Sequence, residues 1–569
     1  MELLLTAQEM AQADRTASEK LGIPAAVLME RAAMAVRDEV YAILDTGRPV
    51  PPAGSVTAGE TCAAGAGAES GRTGDCRENT GTGSGRAFRA AFVCGKGNNG
   101  ADGACAARLL LEDSTAGGCG HRQVLVRVFT MAPPKEGTPL RAQLHTLHAY
   151  GCREEPFSQE ALDAFAPDLI VDALFGTGLS RDLEGDALSA VQGMNRVREQ
   201  GGAAVLAVDI PSGVSSSDGR ILGECVRADE TVTFAFYKRG HFLYPGCRAC
   251  GKVVCRPIGI TKKALQAKPE MFTYLPQEDP PERILPERDP AGNKGTNGKV
   301  LVIAGSLNVA GACVMAAGAA YRTGAGMVKV LTVRENREIL QETLPEALLD
   351  TYSGSSAQSA REALQKNLGW AGYALAGPGL SKSEAAKEIV TELLLEAPSK
   401  LKGLVLDADA IRLIAENDLY ALLRACAESI PVILTPHMAE CAALLRIETG
   451  ELKEDPATWL KNFAKLHHCT ILCKDARSTV VSYDERKVYL NTSGTNALSK
   501  AGSGDVLAGM VTALLAQGMR AFDAAAAGAY LHGLAGVKAA GLSGDARSVM
   551  ARDLLRVLEG LPEEFAARS

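Results

Sequence analysis

Two glycine-rich turns in this 569-residue chain carry residue types that could bind phosphate and move a proton. The first, Gly95–Gly103, follows an apolar run and precedes a helix-like stretch. Glycines there let backbone N–H groups approach a phosphate, and a helix N-terminus adds a favourable partial charge. The second turn places Asp505 directly after Gly502-Ser503-Gly504. An anion hole beside a carboxylate is what phosphoryl transfer to a hydroxyl requires.

Oxygen-bearing side chains follow two further strand candidates of the first half. The run 168–174 carries Asp172, and the run 203–209 ends in Asp209, with Ser212 three residues further on. Because the loops after the carboxyl ends of strands meet at the ligand crevice of an open α/β sheet, these residues and Asn99 should converge. Oxygen donors of this kind suit a hard cation. The alternative is that the aspartates only cap turns.

Polar strand ends recur in the second half. Gly377-Pro378-Gly379, Asp407-Ala408-Asp409-Ala410, Thr435-Pro436-His437 and Lys474–Ser478 each follow an apolar run. His437 could be an ordinary core histidine, but its place beside other polar strand ends favours contact with a ligand.

Both halves alternate short apolar runs with longer amphipathic stretches, which predicts an α/β fold with mainly parallel sheets. The strand candidates of the first half are 87–94, 124–130, 168–174, 203–209 and 231–236, and those of the second half include 299–304, 327–333, 403–407, 432–434 and 470–474. A proline-rich break at 276–290 predicts domains of residues 1–270 and 293–569, joined by a linker over 271–292. Residues 46–86, poor in large apolar side chains, are predicted to form a flexible insertion.

Composition excludes several classes of protein. Apolar residues make up 46% and charged residues 22%, and the net charge of −7 offers no basic surface for nucleic acid. No apolar run reaches the length of a membrane span, and no signal peptide is evident, so a cytoplasmic location is expected. Fifteen cysteines scattered through the chain indicate reduced thiols. The cluster Cys247, Cys250 and Cys255 lacks a second paired ligand set, so a zinc site is not favoured.

The motifs GKGNNGADG, VDALFGTG and DIPSG, matched through Asp102, Gly178 and Gly213, resemble the NAD(P)H-hydrate epimerase family. The resemblance covers most of residues 1–260 and implies a Rossmann-like three-layer α/β/α domain. It implies that Asn99, Asp172 and Ser212 hold potassium, and that Asp209 contacts the substrate and moves a proton. The residues it places against the hydrated nucleotide are Asn98, Asn99, Gly100, Ala101, Asp102, Gly176, Thr177, Gly178, Leu179, Ser180, Arg181, Asp182 and Asp209.

The motifs GPGL, DADA, TPHMAE and GSGDVLAG resemble the ADP-dependent NAD(P)H-hydrate dehydratase branch of the ribokinase-like superfamily, over about residues 294–557. The resemblance implies a ribokinase-like α/β domain with Asp505 as the base that deprotonates the substrate hydroxyl. The residues it places against the substrate are Ala312, Gly379, His437 and Asp505. The residues it places against ADP are Lys474, Asp475, Ala476, Arg477, Ser478 and Gly504. Among the departures from the family patterns, Ala101, Asp475 and Ser381 stand where glycine is usual.

Together the two resemblances imply a bifunctional enzyme, an isomerase and a lyase, for metabolite repair. The first domain, with K⁺, would epimerise the R and S hydrates of NADH and NADPH. The second, with Mg²⁺ and ADP, would dehydrate the S epimer to NAD(P)H and release AMP and phosphate. A homo-oligomer is expected, with no nucleic acid or membrane partner. Two alternatives stay open: a hydroxymethylpyrimidine-type small-molecule kinase with a non-catalytic N-terminal domain, and a first half that only binds or scaffolds.

Overall fold

The computed structural model describes residues 1–46, 87–115, 124–265, 271–276 and 284–560. It divides into two units, Leu3–Lys268 and a second that combines Met1–Glu2 with Pro269–Ser569. Thr46 ends a helix, and the rest of the predicted insertion, 47–86, lies outside the described residues. No described helix is both long and apolar enough to cross a membrane.

The first unit is built on a seven-stranded parallel sheet in the order β4-β3-β2-β5-β6-β7-β9, and a separate pairing joins β1 to β8. Alternate residues of Phe88–Cys94 enter two different cores, so this strand is buried on both faces and reads as a continuous apolar run. Helices therefore cover both faces of the sheet. The elements are β1 Glu2–Leu5, α1 Ala7–Glu19, α2 Ala25–Thr46, β2 Phe88–Cys94, α3 Asn98–Thr115, β3 Val124–Thr130, α4 Pro139–Ala149, β4 Glu155–Pro156, α5 Gln159–Phe165, β5 Leu169–Ala173, α6 Gly185–Gly201, β6 Ala204–Val208, β7 Glu230–Phe234, β8 Tyr237–Lys238 and β9 Lys252–Arg256.

The second unit has a larger sheet in the order β13-β12-β11-β14-β15-β16-β17-β18-β19-β10. Its strands from β13 to β17 are parallel, whereas β18 is antiparallel to both of its neighbours. Two separate cores again lie on the two faces. The elements are β10 Met271–Tyr274, β11 Lys299–Ile303, α7 Ala310–Arg322, β12 Met327–Val333, α8 Arg337–Thr343, β13 Leu348–Tyr352, α9 Ala357–Leu368, β14 Tyr373–Ala376, α10 Glu384–Lys400, β15 Gly403–Leu406, α11 Asp409–Glu416, α12 Tyr420–Ser429, β16 Val432–Leu434, α13 Met438–Leu445, α14 Thr449–Glu454, α15 Pro456–His467, β17 Thr470–Cys473, β18 Thr479–Ser482, β19 Lys487–Leu490, α16 Ser503–Ala516, α17 Ala521–Ser543 and α18 Ala551–Leu558.

The α/β prediction is confirmed for both units. One part of the predicted linker is wrong, because Met271–Tyr274 is the strand β10, which pairs in parallel with β19. Thr273 and Tyr274 are buried, so this segment gains the ladder hydrogen bonds and burial that a connecting segment would lack.

Candidate active sites

The first glycine-rich turn brings α3 against the end of β5. A Cβ atom at Gly100 would lie 1.9 Å from the carbonyl oxygen of Gly95, so only glycine allows this approach. A Cβ atom at Gly176 would lie 3.1 Å from Oδ1 of Asn99, which shows that the side chain of Asn99 faces the turn Gly176-Thr177-Gly178 after β5. The two turns predicted to meet are therefore in contact.

Asp172, at the end of β5, is a fully buried carboxylate. The hydroxyl of Ser212 donates to its Oδ1 at 2.6 Å, and the Ser212 N–H donates to its Oδ2 at 2.8 Å. The N–H of Leu174 donates to Oδ1 at 3.2 Å. Burial raises the pKa of Asp172 to about 6, although the bonds from Ser212 act in the opposite direction. Within the described residues no basic side chain pairs with this carboxylate.

Asn99 supplies a second unmatched polar group. Its buried Nδ2 has no hydrogen-bond partner among the residues that the structure describes. The oxygen and nitrogen of an amide are interchangeable by rotation, so the same position can present an oxygen instead. A buried carboxylate without a cation, a hydroxyl and a free amide together match the oxygen donors of a monovalent cation site. The residues predicted to hold potassium thus fit that ion.

Asp209 follows β6 and lies beside Lys238, the last residue of β8. Oδ1 of Asp209 accepts hydrogen bonds from Nζ of Lys238 and, at 2.9 Å, from the hydroxyl of Thr233. Burial opposes ionisation of Asp209, but the charge and hydrogen bond of Lys238 outweigh it and lower its pKa. None of the hydrogen bonds formed by the described residues reaches Oδ2. This oxygen is the one available to a substrate.

Lys238 was not predicted from the sequence. Its side chain is only 1% exposed, and Nζ also donates to the Thr233 hydroxyl at 2.7 Å and to the Phe234 carbonyl at 3.2 Å. The ammonium group is therefore a fixed counter-charge for Asp209 and has no proton directed elsewhere. A lysine four residues beyond an apolar strand was the only signal in the sequence, and such lysines are usually exposed.

Six other predicted residues of the first site divide into two groups, two that are at least half-buried and four that are exposed. Asp102, in the second turn of α3, is half-buried, and burial followed by the charge of Asp209 raises its pKa well above its ordinary range. Ala101 is buried in the core, where its methyl group fits in place of the usual glycine. In contrast, the side chains of Asn98, Ser180, Arg181 and Asp182 are exposed, and no hydrogen bond connects them to Asp172 or Asp209.

The second site lies where α16 begins. Nζ of Lys474 donates to Oδ1 of the buried Asp407 at 2.7 Å, and a Cβ atom at Gly504 would lie 3.2 Å from the same Nζ. Asp505 stands in the first turn of α16, as the GSGD motif predicts. Burial and the charge of Asp407 raise the pKa of Asp505 to about 6, although Lys474 acts in the opposite direction. The ammonium group of Lys474, the N-terminus of α16 and the carboxylate of Asp505 therefore lie close together.

His437 follows β16 and Gly379 follows β14, the two strands on either side of β15. Nδ1 of His437 accepts the N–H groups of Ala439 and Glu440, at 3.2 and 3.3 Å, and so caps α13. The side chain is still 46% exposed, which leaves the ring accessible to a ligand. A Cβ atom at Gly379 would lie 2.9 Å from Cβ of Ala312, which places these two predicted substrate residues together.

The segment Lys474–Ser478 forms a tight loop after β17. The Asp475 N–H donates to the Ser478 hydroxyl at 3.3 Å, and Nη1 of Arg477 donates to the Thr492 carbonyl at 3.2 Å. Asp475 and Ala476 are exposed, so the unusual aspartate displaces no buried group. Ser381 has a positive φ of 71°, a conformation that favours glycine, and its N–H donates to Oδ2 of Asp409 at 2.8 Å. That bond helps to offset the strain.

Two α/β units, each with a glycine-rich turn and a carboxylate at its strand ends, are typical of enzymes that bind phosphorylated ligands. Family models match both halves: the YjeF-related protein N-terminus over residues 25–240 and NAD(P)H-hydrate dehydratase over residues 300–559. The bifunctional NAD(P)H-hydrate repair enzyme of Moorella thermoacetica is 33% identical over 99% of this chain and 97% of that protein. Its Escherichia coli counterpart is 30% identical over 82% of this chain and 84% of that protein.

Solved structures give a further comparison. The ADP/ATP-dependent NAD(P)H-hydrate dehydratase from Bacillus subtilis, co-crystallised with ATP and Mg²⁺, is 26% identical, with a TM-score of 0.42. The match covers 51% of this chain and 97% of that chain. On the evidence of the family models and the full-length relatives, the chain belongs to the family of bifunctional NAD(P)H-hydrate repair enzymes.

Proposed function

We propose that this chain restores hydrated NADH and NADPH in two reactions, epimerisation of the R and S hydrates and ADP-dependent dehydration of the S epimer. The observation that carries the proposal is Asp505 in the first turn of α16 with the ammonium group of Lys474 against Gly504. We assign the epimerase to residues 1–270 and the dehydratase to residues 293–569. The family matches over 25–240 and 300–559 support this division.

In the dehydratase, Asp505 accepts the proton of the substrate's ring hydroxyl. The hydroxyl oxygen then attacks the terminal phosphorus of ADP. The bond to the leaving phosphate of AMP breaks, and the helix N-terminus and Lys474 stabilise the charge on the transferred group. Mg²⁺ enters as the counter-ion of ADP, as part of the substrate. The ring carbon–oxygen bond then breaks, phosphate leaves, and the loss of a ring proton restores the double bond of the dihydronicotinamide.

In the epimerase, Oδ2 of Asp209 faces the substrate and assists ring opening or proton transfer at the carbon that changes configuration. Lys238 keeps Asp209 ionised, so the carboxylate is ready to accept a proton. Asn99, Asp172 and Ser212 would hold potassium, which supplies a positive charge for the phosphates of the substrate. The backbone N–H groups at the start of α3 act on the same phosphates.

A mixed-epimer hydrate incubated with ADP tests the proposal. We expect recovery of the dihydronicotinamide absorbance, with one AMP and one phosphate released for each molecule restored. A small-molecule kinase would instead accumulate a stable phosphorylated product without restoring the absorbance, and that result would contradict the proposal. An N-terminal half that only binds or scaffolds would leave the R epimer unrepaired.

The dehydratase rate should depend on pH through Asp505. Burial and Asp407 raise the pKa of this base to about 6, so its ionised fraction falls about tenfold per pH unit below that value. We expect initial dehydration rates to decline below about pH 6 and to level off above pH 7. Epimerisation in the same chain should hold its rate to lower pH, because Lys238 lowers the pKa of Asp209. A dehydration profile that is flat between pH 5 and 7 would exclude Asp505 as the base.

Asp172→Ala should weaken the binding of potassium and of the hydrate together. The variant removes the only carboxylate of the cation site, and a cation and a neighbouring anionic ligand stabilise one another. We expect the potassium dependence of epimerisation to shift to at least about tenfold higher concentration, in line with removal of a charged ligand. Asp186→Ala, an exposed aspartate of α6, is the control, and dehydration of the S epimer should survive in both variants. Unchanged epimerisation and potassium response would show that Asp172 is only a turn residue.

We also propose that the protein works in the cytoplasm, because buried cysteines of both units, among them Cys94, Cys105, Cys313 and Cys469, are free thiols. That the chain forms a homo-oligomer remains a prediction.

A further inference from the structure

A buried histidine, His241, joins the main chains of Asp209 and Lys238. It lies three residues after Lys238, in a short 3₁₀ turn, and is 3% exposed. Its Nδ1 accepts the N–H of Lys238 at 3.1 Å, so the ring proton is on Nε2, 2.8 Å from the carbonyl oxygen of Asp209. Both ring nitrogens are therefore engaged. Burial and the charge of Lys238 lower the pKa of His241 to about 4, which keeps this bridge neutral.

The bridge holds a strained segment. Asp209 has a φ of 68°, and the Ile210 N–H donates to the Val208 carbonyl at 2.9 Å across it. This is the classic γ-turn, a rare and strained conformation for a residue with a side chain. The surrounding structure must stabilise it, since an aspartate would otherwise prefer a negative φ.

The next strand ends in the same way. Ala235 has a φ of 62°, and the Phe236 N–H donates to the Phe234 carbonyl at 2.7 Å. Lys238 contacts both turns, because its Nζ donates to the carboxylate of Asp209 and to the Phe234 carbonyl. Two neighbouring strands thus end in strained γ-turns, and the side chain of Lys238 forms hydrogen bonds to both turns. The ring of His241 binds main-chain atoms of both Lys238 and Asp209.

We propose that His241 is a positioning residue of the epimerase, which fixes the position of the γ-turn at Asp209 relative to Lys238. With Oδ1 bound to Lys238 and Thr233, and the main chain fixed by His241, the only free oxygen of Asp209 is Oδ2. The direction of Oδ2 is then set by the protein before the substrate arrives. His241 itself takes no proton from the substrate, since neither ring nitrogen is free. This inference rests on the proposed epimerase function.

Three variants of the full-length chain test the proposal. His241→Leu removes both hydrogen bonds at similar volume. His241→Gln can donate to the Asp209 carbonyl and accept from the Lys238 N–H, whereas His241→Asn is one methylene too short to span both. The assay is conversion of the purified R hydrate without nucleotide, with dehydration of the S hydrate in the presence of ADP as the control for folding.

We expect His241→Leu and His241→Asn to lower the epimerase kcat by about ten- to a hundredfold, the effect of a misplaced reacting group, while KM stays within about twofold. His241→Gln should retain a kcat within about threefold of the wild type. Dehydration should be unchanged in all three. If His241→Leu does not fold, the comparison of the Gln and Asn variants decides.

Equal epimerase rates in the Gln and Asn variants would overturn the positioning role, and so would a wild-type rate in His241→Leu. A loss that appears only in KM would do the same. If the wild-type chain itself does not epimerise the hydrate, the proposed function fails instead, which is a distinct outcome.

Discussion

The Asp505→Asn variant is expected to lose dehydratase turnover by about two to four orders of magnitude, the contribution of a positioned general base. Asparagine keeps the size of the side chain but cannot accept the proton of the ring hydroxyl. The variant should fold normally and retain its affinity for ADP, because Lys474–Ser478 and Gly504 are unchanged. Removing a carboxylate that Asp407 repels should leave the stability of the unit at least as high.

The readout is the rate of hydrate repair, with ADP affinity measured separately by calorimetry. Asp523→Asn is the matched control, since Asp523 also stands in the first turn of a helix, α17, and should change neither quantity. Repair at near wild-type speed by Asp505→Asn would contradict the proposed mechanism. Loss of ADP binding together with unfolding would make Asp505 a structural cap.

The Asp209→Asn variant should abolish most epimerisation, again by about two to four orders of magnitude, while dehydration of the S epimer continues. It should also destabilise the first unit, because Lys238 would stay buried without its partner charge. Breaking a buried ion pair from one side costs about 3–5 kcal/mol. The checks are R-hydrate conversion and urea unfolding followed in the same preparation.

Asp163→Asn, a half-exposed aspartate of α5, is the control and should leave both quantities unchanged. A folded Asp209→Asn variant that epimerises at the wild-type rate would remove Asp209 from the mechanism. A variant with full stability would show that Lys238 does not depend on this carboxylate.

The sequence predicts the framework of both sites because buried parallel strands are continuous apolar runs. The strands 124–130 and 327–333 lie where they were expected. The side chains of Asp172 and Ser212 form a hydrogen bond, as expected for residues at the carboxyl ends of neighbouring parallel strands. Glycine-rich turns are equally visible, since close approaches such as that of Gly100 to Gly95 admit no side chain.

Other features depend on contacts between residues that lie far apart in sequence. Lys238 is 29 residues from Asp209, and no local pattern marks a lysine that will be buried. The strands β18 and β19 were not among the predicted strands, because they form an antiparallel pair outside the alternation of strands and helices. The strand β10 was overlooked because the prolines that follow it suggested a linker over the whole segment.

We expect this one chain to carry two separable activities that act in sequence on a diffusible substrate. The most direct measurement mixes Asp209→Asn with Asp505→Asn and supplies both with the mixed-epimer hydrate and ADP. Alone, the first variant should rapidly restore only the S fraction, and the second should restore almost none. The mixture should restore both epimers to NAD(P)H faster than spontaneous epimerisation allows. A mixture that stops at the S fraction restored by Asp209→Asn alone would contradict the account.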